Sequence, residues 1–302
     1  MSVASAKSKP PASEQGPNRL PRKGARSTPA LVPLDLGRTS PLANFIDVIE
    51  PEKTRNDLVL SPENLRVLSA ITGEHAQRDR LRRHGARHRN RLLFCGPPGC
   101  GKTLTAEVFA NEVGLDLYII RLDGLISSYL GETAGNLRTV IEAAERRPCV
   151  LFFDEFDALA QARSGTQGHG ELRRVVNSLL MMFERFSGQG FLIAATNLES
   201  TLDDALWRRF DEVVLFDRPT PAKARAMLAL KTRNFKPSFE IAKKAERLKG
   251  FSFAEIDRLC QQAIKQAILA RRKTLSEEDF DAAYKDEMRR RKIQKRLAPS
   301  RR

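Results

Sequence analysis

Eight consecutive residues, Gly96-Pro97-Pro98-Gly99-Cys100-Gly101-Lys102-Thr103, fit the pattern GxxxxGK[ST] and follow directly on the apolar run "RLLFC". Where such a loop joins a strand to a helix, its glycines let backbone N–H groups wrap a chain of phosphates at the positive end of the helix. The lysine reaches the outer phosphates and the hydroxyl of the last residue ligates Mg²⁺. The pattern predicts a site for ATP with Mg²⁺, held by the loop, by Lys102 and Thr103, and by Leu104 as the helix continues.

Further along, the run "CVLFFDE" ends in Asp154 and Glu155. Apolar residues followed by two carboxylates mark the C-terminal end of a strand, where an open α/β sheet places its ligand. Asp154 is expected on the magnesium side and Glu155 beside the attacking water, which makes hydrolysis, and not binding alone, the predicted chemistry. Asp157 is read as the N-cap of a following helix rather than as part of the site. The next apolar run, "FLIAAT", ends at Asn197, a side chain suited to orient water; alone, an Asn at a strand end is an ordinary turn residue. Arg208 and Arg209 stand together before the run "EVVLF". In isolation such a pair reads as solvated surface.

The elements that must position these groups are legible between Asn90 and Asp217. Short continuous apolar runs ("RLLFC", "LYIIRL", "CVLFF", "GFLIAAT", "EVVLF") alternate with helical patterns, which predicts an α/β fold with a parallel sheet covered by helices on both faces. After Pro219 and Pro221 the strands stop, and helical patterns follow over 221–234, 239–249, 253–272 and 276–297. The predicted organisation is a basic Pro/Ser-rich tail over 1–40, expected disordered, an α/β domain over 41–218, a small α-helical lid domain over 219–286, and a basic tail over 287–302.

Composition bounds the rest. With 302 residues, 41% hydrophobic and 29% charged, the chain can bury a full core. Lys+Arg 52 against Asp+Glu 37 leaves a formal charge of +15, which suits either a solvated basic surface or an acidic partner such as nucleic acid. The four cysteines form no CxxC pair, so neither a disulfide framework nor a zinc ribbon is indicated. No apolar run is long enough to span a bilayer and the N-terminus has no signal-peptide core, so a cytoplasmic location is expected. His84 and His88 lie in "HGARHRNR", but there is no HExxH of a zinc protease.

Residues from about 90 to 285 resemble the ATPase module of the AAA family, a P-loop NTPase fold. The resemblance rests on "GPPGCGKT", "LFFDEFDAL", "AATN", "LDDALWRRFD" and "GFSFAEIDRL", five motifs in order. It implies that Asn197 is the sensor-1 residue, that Arg208 and Arg209 are arginine fingers entering a neighbouring subunit's site, as in katanin and spastin, and that the active form is a ring, a hexamer. It places Ser252 and Ala254 near the adenine and implies no sensor-2 arginine. It also makes "SSYLGETAGNL" a pore loop whose Tyr129 and Leu130 grip an extended polypeptide; the other reading of Tyr129 is that it packs on its own domain. The glycine-rich stretch 163–174 is expected to be a lower pore loop. The implied function is ATP-driven unfolding or translocation of polypeptide, with a separate protease or adaptor as candidate partner. An AAA+ ATPase acting on nucleic acid is the alternative.

Overall fold

The structure is a computed structural model that describes residues 46–122, 133–156, 170–197 and 207–297. Six strands, β1 (Ile46–Ile49), β2 (Arg91–Cys95), β3 (Leu117–Arg121), β4 (Val150–Asp154), β5 (Phe191–Thr196) and β6 (Glu212–Leu215), form one sheet in the order β1-β3-β4-β5-β2-β6. From β3 to β6 all neighbours are parallel. Strand β1 is antiparallel to β3, with Ile46 opposite Ile120, so the sheet is mixed rather than wholly parallel.

The apolar runs become strands because both faces are buried. Strand period two sends Leu93, Tyr118, Ile120, Leu151, Phe153 and Leu192 to one face, into a core with Leu137 and Ile141 of α4 (Thr133–Arg146) and Val176, Leu179 and Phe183 of α5 (Gly170–Arg185). The alternate residues Leu92, Phe94, Ile119, Phe152 and Ile193 meet Leu68 and Ile71 of α1 (Pro62–Ala76) and Phe109 of α3 (Lys102–Val113). A short helix, α2 (Arg78–Arg83), follows α1. The helices start where the chemistry asks. The Ser61 hydroxyl accepts from Asn64 N at 3.1 Å with Pro62 in the first turn, and the Thr220 hydroxyl accepts from Lys223 N at 3.3 Å with Pro221 in the same role.

Beyond β6 come α6 (Pro221–Lys231), α7 (Ile241–Glu246), α8 (Phe253–Leu269) and α9 (Glu277–Leu297), each within its expected span but mostly shorter. Their core gathers Leu228, Leu248, Phe251, Ile256, Leu259, Ala263 and Phe280. No break in the helix falls at residue 286. Helix α9 runs on unbroken, Glu287 is buried against Arg258 at 2.7 Å, and Arg291 donates to Gly250 O at 2.8 Å with its guanidinium 4.4 Å from the Phe251 ring centre. Body and lid belong to one compact unit. No helix among the described residues is long and apolar enough to cross a membrane.

The body core includes a histidine ring. His75 of α1 packs 5.0 Å from Phe191 and 5.6 Å from His88, centre to centre. Burial, with Arg78 and His88 nearby, pushes its imidazole down to about 4, and burial pushes His88 in the same direction. Between pH 6.5 and 4 the unfolded chain therefore binds protons that the folded one does not, so stability falls as pH falls through that window. The loss from His75 is expected to reach about 1 to 2 kcal/mol at pH 5. Thermal melts between pH 7 and 5 should slope downward, and His75→Leu should flatten the slope; an unchanged slope would remove His75 as its source.

Candidate functional site

Three adjacent strand ends, those of β4, β5 and β2, meet at one edge of the sheet. After Cys95 the chain turns through Gly96 to Gly101 and enters α3 at Lys102. Gly96 N donates to Thr196 O at 3.2 Å, and Phe216 N donates to Cys95 O at 2.7 Å, so the loop starts from a point stitched to both neighbouring strands. A Cβ on Gly96 would lie 1.9 Å from Phe216 O, and one on Gly99, at φ +72, would lie 2.9 Å from Ser252 Oγ and 3.0 Å from Ala254 Cβ. Only glycine fits either place.

Lys102, though 7% exposed, is satisfied. Its ammonium donates to Gly96 O at 2.6 Å, Pro97 O at 3.2 Å and Asn197 Oδ1 at 2.8 Å, so loop, helix and the end of β5 are tied through one charge. Thr103 Oγ1 is 3.5 Å from Asp154 Oδ2. Beyond Asp154 the buried Phe156 donates its N–H to Ala195 O at 2.8 Å, which pins the chain and leaves Glu155 at φ 53, a region non-glycine residues rarely occupy. Asp154 Oδ1 accepts from Glu155 N at 2.9 Å.

Pro98, Gly99, Gly101, Lys102, Thr103 and Leu104 line a cleft of about 390 Å³ together with Asp154, Glu155 and Asn197. Its other wall is the lid. Ala254 N donates to Gly99 O at 3.0 Å, and Phe253 and Ala254 face the loop. Four expected ligand residues, Gly96, Pro97, Cys100 and Ser252, do not line the cleft, and the carbonyls of Gly96 and Pro97 instead hold Lys102. Cys100 turns its side chain into the body core and leaves only backbone to the loop. Ser252 is buried as the N-cap of α8, accepting from Glu255 N at 3.3 Å, and does not line the cleft. Met227, Lys231 and Asp257 line it without having been anticipated; Lys231 and Asp257 pair at 2.8 Å. Their sequence signal was only the amphipathic pattern of α6 and α8, which does not say what the outer face meets.

The arrangement suits a polyphosphate. A buried ammonium, a run of backbone at a helix start and two carboxylates with a nearby hydroxyl are the parts needed to hold phosphates and a hard cation. Arg208 and Arg209 lie elsewhere, just before β6; Arg208 is exposed and Arg209 is ion-paired with Glu184. Tyr129, Leu130, Asp157 and residues 163–169 lie outside the described residues.

Comparison with known proteins agrees with this geometry. Residues 92–218 match the family described as "ATPase family associated with various cellular activities (AAA)". An uncharacterized AAA family ATPase, y4kL, of Sinorhizobium fredii is 54% identical over 287 residues, 95% of this chain and 85% of that protein. The ATP-dependent zinc metalloprotease FtsH of Halothermothrix orenii is 34% identical over 215 residues, 68% of this chain but only 34% of that protein.

The close approach at Gly99 generates a prediction. Gly99→Ala would strain the backbone and press on Ser252 and Ala254, so it should cost about 1 to 2 kcal/mol of stability and lower ATP turnover by loosening the lid from the loop. Melting temperature and phosphate release measure the two effects; wild-type values for both would mean that the lid does not bear on the loop.

Proposed function

Because the chain belongs to the AAA family of ATPases and so hydrolyses ATP, we propose that this hydrolysis powers a ring, a hexamer, which draws extended polypeptide through its centre. One observation carries the ring. Asp211, two residues after Arg209, is bound to the N-terminal end of β2, accepting from Arg91 N at 3.0 Å, whereas the phosphate loop leaves the opposite end of that strand. At about 3.3 Å per residue the two ends are roughly 13 Å apart, so the segment carrying Arg208 and Arg209 is anchored at the far end of β2 from its own cleft. They complete a site only in a second copy.

In this reading Lys102 gives up some of its carbonyl partners to the β- and γ-phosphates, Asn197 and Glu155 orient and activate water, and Arg208 with Arg209 arrives from the neighbour. Thr103 and Asp154 would hold a Mg²⁺, whose charge would offset that of the phosphate oxygens. Polypeptide as cargo is supported by the likeness to FtsH, whose name describes an ATP-dependent metalloprotease, and by Tyr129 and Leu130 in the segment after β3, whose last residue Arg121 stands beside Asp154 in the sheet. No HExxH occurs in this sequence, and a separate peptidase or adaptor is the candidate partner. A second reading, action on nucleic acid, is favoured by Arg289, Arg290, Lys292, Lys295 and Arg296, all exposed on α9; DNA-stimulated hydrolysis with a steep salt dependence would establish it instead.

Lys102→Ala is expected to lose ATP binding by calorimetry, whereas Glu155→Gln keeps ATP and loses turnover. An arginine finger contributes about 10³ to 10⁵ in rate, so Arg208→Ala/Arg209→Ala should be nearly inactive and should regain activity when mixed with Lys102→Ala subunits. No recovery on mixing would count against sites shared between subunits.

For the grip, Tyr129→Ala should leave melting temperature, assembly and basal ATPase near wild type while abolishing unfolding of a tagged substrate, and Tyr129→Phe should preserve it. Wild-type unfolding by Tyr129→Ala would sink the pore reading. A packed aromatic would instead cost about 3 to 5 kcal/mol on truncation.

A further inference from the structure

A second cavity, of about 370 Å³, opens at the opposite end of the strands from the nucleotide cleft and is nearly its equal in size. Arg78 and Arg82 of α2, Arg87 and His88 of the following loop, Asn90 at the start of β2 and Phe186 after α5 line it. Its charges do not balance. Of its three carboxylates, Asp211 is engaged by Arg91 and Glu184 by Arg209, which leaves Asp79 against Arg78, Arg82 and Arg87. No ion pair among the described residues includes any of those three arginines.

Two polar atoms of its lining residues are also orphaned. Arg78 Nε and His88 Nε2 are buried and have no hydrogen-bond partner among the described residues, although Arg78 Nη1 donates to His75 O at 3.0 Å. A buried donor without a partner costs about 1 to 3 kcal/mol, which marks this wall as polar and incompletely satisfied. Guanidinium groups converging from a helix and a loop suit tetrahedral oxyanions, which accept several N–H bonds at once. The Phe186 ring gives one apolar wall, and a cleft of this volume holds more than a bare ion.

We propose that this cavity is a second anion site that takes a phosphorylated small molecule of about nucleotide size, with Arg78, Arg82 and Arg87 on the phosphates and His88 in the wall beside them. The site shares no lining residue with the cleft at Lys102.

The probe is inorganic pyrophosphate, titrated by calorimetry into full-length Lys102→Ala, whose phosphate loop is disabled. One saturable equivalent is expected, weakened at least tenfold when Arg82→Gln and Arg87→Gln are added. In the chain with Lys102 intact, the same two changes should leave melting temperature and ADP affinity unaltered, which separates this site from the phosphate loop and from misfolding. The imidazole resonances of His88 should shift on adding pyrophosphate to Lys102→Ala. The proposal is overturned if Lys102→Ala binds no pyrophosphate saturably, if the charge-removed variant binds it equally well, or if the His88 signals stay in place.

Discussion

No side chain can exist at position 96. The carbonyl of Phe216 occupies the place of its Cβ, because the chain leaving β6 passes directly behind the loop leaving β2. That crossing sets the geometry of the rest. Two residues beyond Phe216, Arg218 donates to Gly250 O at 3.0 Å, on the threshold of the helix whose start closes over Gly99. The Gly96–Gly101 loop, sheet and helical region are thus joined within a few residues of one forbidden Cβ, through the Ala254 N–H on Gly99 O and the Arg218 side chain on Gly250 O.

Within that frame, two local strains are held by the packing around them. Lys102 keeps a positive charge almost wholly inside the protein, tolerable because three oxygens receive it. Glu155 stays in a left-handed conformation because Phe156, buried and hydrogen-bonded to β5, leaves the chain no relaxed route. Both sit at the cleft. Strain supported by a rigid core is how a folded chain keeps reactive groups poised, and the core here is dense with aromatic rings: Phe153, Phe156, Phe183 and Phe210 form a chain of ring contacts with centres 4.9 to 6.2 Å apart.

Much of this was readable from the sequence, for identifiable reasons. Strands β2 to β6 announce themselves because burial on both faces demands unbroken apolar runs, and the phosphate loop because its backbone path demands glycine. Strand β1 did not: "IDVI" is four residues long, buries only Ile46, and becomes a strand through pairing with residues some seventy positions away. For the same reason Met227, Lys231 and Asp257 were invisible as cleft residues, since their place there depends on how the lid is laid against the body. Cys100 and Ser252 show the converse limit. A motif tells which residues a loop needs but not which way each side chain turns, and both are claimed by packing and capping instead. The basic end of α9 read as a tail because charge dominates its composition, yet Glu287 and Arg291 fasten its first turns to the lid.

The borders of the sheet have a consequence of their own. A parallel sheet ends in rows of unsatisfied N–H and C=O groups that recruit any extended chain they meet. Here β1 covers one border, antiparallel and only four residues long, with Pro51 just beyond it. On the other, Asn64 of α1 donates its amide to Leu215 O at 2.8 Å at the end of β6. A machine that handles unfolded polypeptide, as proposed above, works amid the material most prone to add itself to a sheet. Both borders are only four residues long and the β6 border has one carbonyl already taken, which disfavours cargo as a seventh strand and leaves it to be held by side chains, reversibly.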